Sequence, residues 1–235
     1  MTLRVIETPV RRAYQNDMSV LPTQAIAAET EVNGARARTM RLMLQTAVAL
    51  MQEGQTPSVS EVAEAAGVSR ATSYRYFPSQ TALVGAVVDA ALGPVLDWQP
   101  RSPRADERVA DLLRRSLRRI GQFEATFRAA LRLSLEHWSK TRTGTLGTEA
   151  PFRRGHRMEL LRNAVEPLRG TVSDGELDRL TKGLSLVFGI EAFVVLKDMW
   201  AMEQDDVEET INWVAQTLIG ALTNDARSAV MTPHE

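Results

Sequence analysis

The stretch that most constrains this chain is "SVSEVAEAAGVSRATSYRYFPSQTAL", residues 58–83, where two helical patterns flank Gly67-Val68-Ser69. Each pattern is about two turns long, too short to hold itself in water, so each must pack on a neighbour. Ser58, with Glu61 three residues on, forms a capping box that opens the first helix. Val62, Ala63 and Ala66 give it an inner face, and Gly67 ends it. Ala63 is small enough for close packing of the pair, and Val68 plugs the turn. Ser69 caps the second helix, which must stop near Phe77 because Pro78 follows. That second helix carries Arg70, Thr72, Ser73, Tyr74, Arg75 and Tyr76, all able to hydrogen-bond. A buried helix would leave such groups unsatisfied. Two short helices joined by a tight glycine turn make a helix-turn-helix, whose second helix enters a major groove. A groove explains why donors and acceptors crowd one short helix.

The flanks supply a scaffold. From Ala35, the residues Met40, Met43, Leu44, Ala47, Val48 and Met51 fall on one helical stripe that Gly54 stops. Ser79 caps a fourth helix through Leu83, Val87 and Leu92, which Gly93-Pro94 breaks. "WQPRSPRAD" then reads as a linker up to Asp106. Residues 34–93 are therefore expected to form one domain and residues 105–227 a second, wholly helical one. In that second domain Leu112, Leu113, Leu117 and Ile120 face inward and Arg114, Arg115, Arg118 and Arg119 sit largely outside. Phe127, Leu131, Leu135 and Trp138 mark a further helix, and Met158, Leu161 and Val165 another after the loop "TRTGTLGTEAP". Two long helices, roughly 174–202 and 205–224, close the chain. Along the last, Val207, Ile211, Val214, Leu218 and Leu222 form a seam of heptad type. No strand period appears, so the fold is expected to be all-α: a three-helix helix-turn-helix head and a larger helical body for ligand binding and dimerisation. Residues 1–33 have no sustained period and are expected to be a mostly disordered arm, with Arg4, Arg11 and Arg12 able to follow a DNA backbone.

Composition excludes several functions. The 235 residues contain no cysteine, which rules out disulfides, thiolate metal sites and a cysteine nucleophile. His137, His156 and His234 show no metal-ligand spacing, and neither a glycine-rich phosphate loop nor a G-x-S-x-G occurs, so no catalytic residue, metal or cofactor is expected. The start lacks the apolar core of a signal peptide. The longest apolar run, from Gly183, is broken by Glu191, Lys197 and Asp198. A soluble, cytoplasmic protein with no membrane partner is expected. The net charge of -1 conceals an asymmetry: residues 101–170 hold 16 basic against 8 acidic side chains, residues 171–235 hold 4 against 12. DNA binding must therefore rest on local placement and not on overall charge.

From about Ala35 to Leu92, with "AGVS", then "YRYF", then Pro-Ser at these spacings, the chain resembles the DNA-binding domain of TetR-family transcriptional regulators. The resemblance covers about a quarter of the chain. It implies a homodimer that binds a double-stranded, pseudo-palindromic DNA operator and, in most members, represses until a small-molecule effector releases it. It also implies that Arg70, Ala71 and Thr72 stand at base edges and that Tyr74 and Tyr76 lie against phosphates. Ser58 would guard the helix end near the backbone, and Ser73 would share the DNA-facing helix. The chemistry agrees: arginine pairs bidentately with guanine, alanine and threonine methyls suit thymine, and tyrosine hydroxyls donate to phosphate. Tyr74 has a second reading, with its ring packed on the first helix of the pair. Gln80 stands where many members carry lysine, which removes a phosphate charge. Arg36, Arg38 and Arg41 are candidates to supply it instead.

For the body the resemblance implies an effector pocket, with Phe127, Leu131, Leu135, Trp138, Phe188 and Glu191 as candidate lining residues. Glu191 and Lys197 are odd in an apolar helix; they are polar handles in a pocket, or exposed, or paired across a dimer. The last two helices are expected to form the homodimer interface. An alternative reading is an all-α module that binds a small molecule or a protein without specific DNA binding.

Overall fold

The structure, a computed structural model, describes residues 34–147, 152 and 155–231, with the side chains of 35 and 225–231 left aside. The expected arm, residues 1–33, and His234 lie outside the described residues. Within them the chain is a succession of ten α-helices with no strand. The first four are α1 (Gly34–Gln52), α2 (Val59–Ala65), α3 (Arg70–Tyr76) and α4 (Gln80–Leu92). A 3-10 turn, Gly93–Val95, leads on toward α5 (Ala105–Gln122), α6 (Glu124–Arg142) and α7 (His156–Val165). Then come α8 (Asp174–Val187), the single turn α9 (Ile190–Phe193) and α10 (Gln204–Met231).

Local rules account for the first four. Met43, Leu44, Ala47, Val48 and Met51 are buried as one stripe of α1, and Gly54 closes it at φ +83°. The Ser58 hydroxyl accepts from the Glu61 N–H while the Ser58 N–H donates to the Glu61 carboxylate, the complete capping box. Those bonds, the backbone one first, hold the Glu61 carboxyl below its usual range. The turn closes through Gly67 at φ +65° and the Val68 N–H donating to Ala63 O at 2.8 Å. Ser69 and Ser79 cap α3 and α4 as expected, and Phe77, in extended conformation, ends α3.

The body departs from expectation in three places. The segment read as a linker is not slack: Trp98 is buried and its Nε1–H donates to Asp111 at 2.9 Å. The helix expected over 174–202 is three pieces. It stops at Val187, Phe188 turns extended, Gly189 sits at φ 140°, and after α9 the chain runs through a π-helical turn, Val194–Met199. Glycine suits the position because φ 140° is a conformation other residues rarely adopt, and a Cβ there would also press on the Arg157 guanidinium at 2.6 Å. The last helix continues past 224 to Met231, and its buried ridge is Val207, Ile211, Ala215, Ile219, stepping by four. Val214, Leu218 and Leu222, placed in the seam by the sequence, are half-buried on the flank of that ridge.

α10 packs on α5 and α8, and α7 lies between α5 and α8. α4 packs on both α5 and α6, so the helix that closes the head also borders the body. It is not the only bridge: α1 packs on α6, and Arg132 of α6 donates to Gly54 O at 3.3 Å.

Candidate nucleic-acid interface

α3 is held from below and open above. Its Ser73 hydroxyl is 0 % exposed and donates back to Arg70 O at 2.8 Å. Ser73 therefore faces the core, which overturns the expectation that it contacts DNA. A single helix of seven residues has room for one inward stripe, and Ser73 with Phe77 fills it. Arg70, Ala71, Tyr74 and Arg75 are exposed, and Thr72 is half-buried. The Thr72 N–H donates to Ser69 Oγ, and the Ser69 hydroxyl in turn donates to Thr72 Oγ1 at 2.9 Å. The cap therefore fixes the rotamer of Thr72.

The two tyrosines are engaged differently. Tyr74 does not pack as core: its ring is exposed, its hydroxyl lies 3.2 Å from Ser60 Oγ on α2, and the Arg70 guanidinium lies 5.9 Å from the ring centre. Tyr76 is flanked by two cations, Arg36 at 5.7 Å and Arg75 at 5.8 Å from its ring centre. Arg36 thus reaches α3 from the start of α1, where the sequence could offer only a charge of uncertain reach.

Gln80 is a latch. Its Nε2–H groups donate to Thr56 O at 3.0 Å and Pro57 O at 3.2 Å, tying the start of α4 to the loop before α2. Both amide donors of this candidate phosphate contact are thus engaged within the head. Ser58 stays half-buried in its capping box at the head of α2.

The candidate effector residues separate into two groups. Phe127 and Phe188 meet at a small cavity of about 70 Å³, walled by Val88 and Leu92 of α4, Ile120 of α5 and Ile190 of α9. Leu131 is half-buried at its side of α6, and Glu191 accepts from Arg157 at 2.7 Å beside the cavity. Leu135 (59 % exposed) and Trp138 (66 %) lie on the outer face of α6 and do not line it. The inward face of α6 is Thr126, Phe127, Ala129, Ala130, Leu133 and His137, so only Phe127 of the stripe read in the sequence is buried. Sequence reasoning also missed the ties between α4 and the body here. His156 Nε2 lies 2.7 Å from Asp89, and Arg119 Nε donates to Ala91 O at 2.7 Å with its guanidinium 4.6 Å from the Phe123 ring centre. Lys197 pairs with Glu124 at 2.8 Å, within this chain. Among the described residues no cluster of three metal-ligating side chains occurs, and no helix is long and apolar enough to cross a membrane.

Comparison with known proteins finds similarity to bacterial regulatory proteins. Residues 43–87 match the model of a family described as bacterial regulatory proteins, tetR family. The HTH-type transcriptional repressor LfrR of Mycolicibacterium smegmatis is 40 % identical over 55 residues, 23 % of this chain and 29 % of LfrR. The match thus spans under a third of that relative's length. Among solved structures, a TetR transcriptional regulator from Rhodococcus sp. RHA1 is 24 % identical with a TM-score of 0.49, over 80 % of this chain and 97 % of that one.

Proposed function

We propose, from the premise that residues 43–87 are a tetR-family DNA-binding domain, that this chain is a dimeric transcriptional regulator released from its operator by a small molecule. The observation that carries the reading is α3: a capped, seven-residue helix whose exposed face is Arg70, Ala71, Tyr74 and Arg75. Arg70 suits guanine O6 and N7, the Ala71 methyl suits thymine, and Arg36, Arg75 and Tyr76 suit backbone phosphate. The name of its relative LfrR, a repressor, favours repression, and a DNA-binding regulator belongs in the cytoplasm.

Dimerisation is proposed through α8 and α10. Leu186 on α8 is 76 % exposed and Trp213 on α10 is 66 % exposed, and Leu218 abuts Gly183 between them. Two such faces stacked about a two-fold axis make a four-helix bundle and present α3 twice. The operator is then a pseudo-palindrome.

The effector reading rests on the cavity at Phe127 and Phe188. At about 70 Å³ it is far below the several hundred typical of ligand sites, so an effector must displace a wall. α4 is the wall that leads to α3. Its ties to the body, Asp89 with His156 and the Ala91 carbonyl with Arg119, are the contacts such a shift would exchange. A differential affinity of about 1–3 kcal/mol between the two positions of α4 suffices for regulation.

Selection of bound sequences from random duplex DNA with the purified chain tests the reading. The expected product is a pseudo-palindrome whose affinity falls steeply with salt. Recovery of no preferred sequence would leave an all-α binding module instead.

A further inference from the structure

We propose that Tyr74, anchored by Ser60, positions Arg70 for base reading and so sets the chain's sequence discrimination without itself being the contact that confers affinity. The inference rests on the DNA-binding reading above and concerns Tyr74 and Ser60, to which that reading gives no role. Arg70 and Tyr74 are four apart on α3, hence stacked on one helical face. The Tyr74 hydroxyl lies 3.2 Å from Ser60 Oγ, across the turn on α2, which fixes the direction in which the ring points. The Arg70 guanidinium lies 5.9 Å from the centre of that ring. Both neighbours also hold the Tyr74 hydroxyl below its ordinary value, the Ser60 hydrogen bond first and that with Arg70 second.

An exposed arginine has more rotamer freedom than almost any side chain and surrenders it on binding. Left free at the first position of α3, Arg70 could meet a phosphate as readily as a guanine edge. Held beside a ring whose hydroxyl is itself tied to Ser60, its planar fork is biased in advance toward the face α3 presents. Such pre-organisation favours the bidentate geometry over others, so its loss should appear in discrimination between bases more than in total affinity. Ser60 sits on α2 and is half-buried, so its part in DNA binding is indirect.

The test uses the full chain and the operator that selection yields. Ser60→Ala should reduce the preference for guanine over other bases at the Arg70 position by about 3- to 10-fold, the worth of one ordered long side chain. Affinity for random duplex and the salt slope should stay as in the unaltered chain, since no phosphate contact is lost. Ser60→Thr, which keeps the hydroxyl, should restore the preference, and Tyr74→Phe should lose it as Ser60→Ala does. The inference is overturned if Ser60→Ala, folded by circular dichroism, retains full guanine preference. It is equally overturned if the substitution weakens all sequences alike, which would make Tyr74 a backbone contact. An unaltered chain that selects no sequence would refute the DNA-binding reading itself, a separate result.

Discussion

Gln80→Met separates the two roles that position 80 can have. The glutamine donates to Thr56 O and Pro57 O, closing a loop of 23 and 24 residues between α4 and the segment before α2. Methionine keeps the length and the flexible stem but removes both donors. Each neutral bond contributes about 0.5–1.5 kcal/mol net, but these carbonyls lie in a half-buried place where water can replace the donor. The lower end applies, so the loss should be about 1 kcal/mol for the pair. Urea unfolding followed by far-ultraviolet circular dichroism should show the midpoint fall while the slope, which tracks exposed surface, stays constant. At a temperature where both proteins are folded, operator affinity should agree within about 0.5 kcal/mol, since a change of that size is ordinary for surface substitutions. The opposite pattern, an unchanged midpoint with operator and random DNA both bound more weakly, would show that the amide serves a phosphate and that the latch is incidental.

Arg70→Ala should lower operator affinity by about 1–3 kcal/mol and relax preference at one base pair per half-site, read by competition with single-base variants; Tyr76→Phe should weaken all sequences alike. Leu186→Arg should leave the monomer folded, because the side chain is 76 % exposed within one chain, yet put an unpaired charge in the proposed interface and give monomers by light scattering. A dimeric Leu186→Arg would move the interface off α8. Asp111 should report acid unfolding through Trp98: burial raises its pKa, but the Trp98 N–H and the Arg115 guanidinium outweigh it and leave the carboxyl below its usual value. Its contribution is therefore complete above the unfolded carboxylate range near 4 and is lost as pH falls through the depressed folded value. Trp98 fluorescence should shift in that acid window, and Asp111→Asn should flatten this part of the pH dependence of stability.

The head was legible because its signals are local. Ser58 with Glu61, Gly67, Ser69, Pro78 and Ser79 each fix a boundary within four residues of themselves, and all of them hold. What the sequence could not settle is where a polar side chain spends its hydrogen bonds. Ser73 and Thr72 are adjacent and chemically alike, yet one hydroxyl turns under the helix to Arg70 O and the other is taken by the cap. Gln80 reads as a weakened phosphate contact until its partners, more than twenty residues back, are seen.

In the body, periodicity identified helices but misjudged their rotation. On α6 the large side chains, Phe127, Leu131, Leu135 and Trp138, form the more conspicuous stripe, whereas the buried face keeps only Phe127 of these and runs on through Thr126, Ala129, Ala130, Leu133 and His137. Small residues win there because α4 and α9 both come against α6, and a close approach needs Ala129 and Ala130 more than it needs a tryptophan. The break at Gly189 has the same origin. Nothing between Gly183 and Trp200 forbids a continuous helix in its local pattern, and apolar residues run through it without a proline. At the break itself, Arg157 of α7, about thirty residues earlier, donates to Ser185 O before it and to the Glu191 carboxylate after it. At that crossing Gly189 takes φ 140°, Phe188 lines the same cavity as Phe127, and a π-helical turn follows at Val194–Met199. The cavity beside α4 is thus lined by the residues of this break, Phe188, Gly189 and Ile190, with Arg157 beside them.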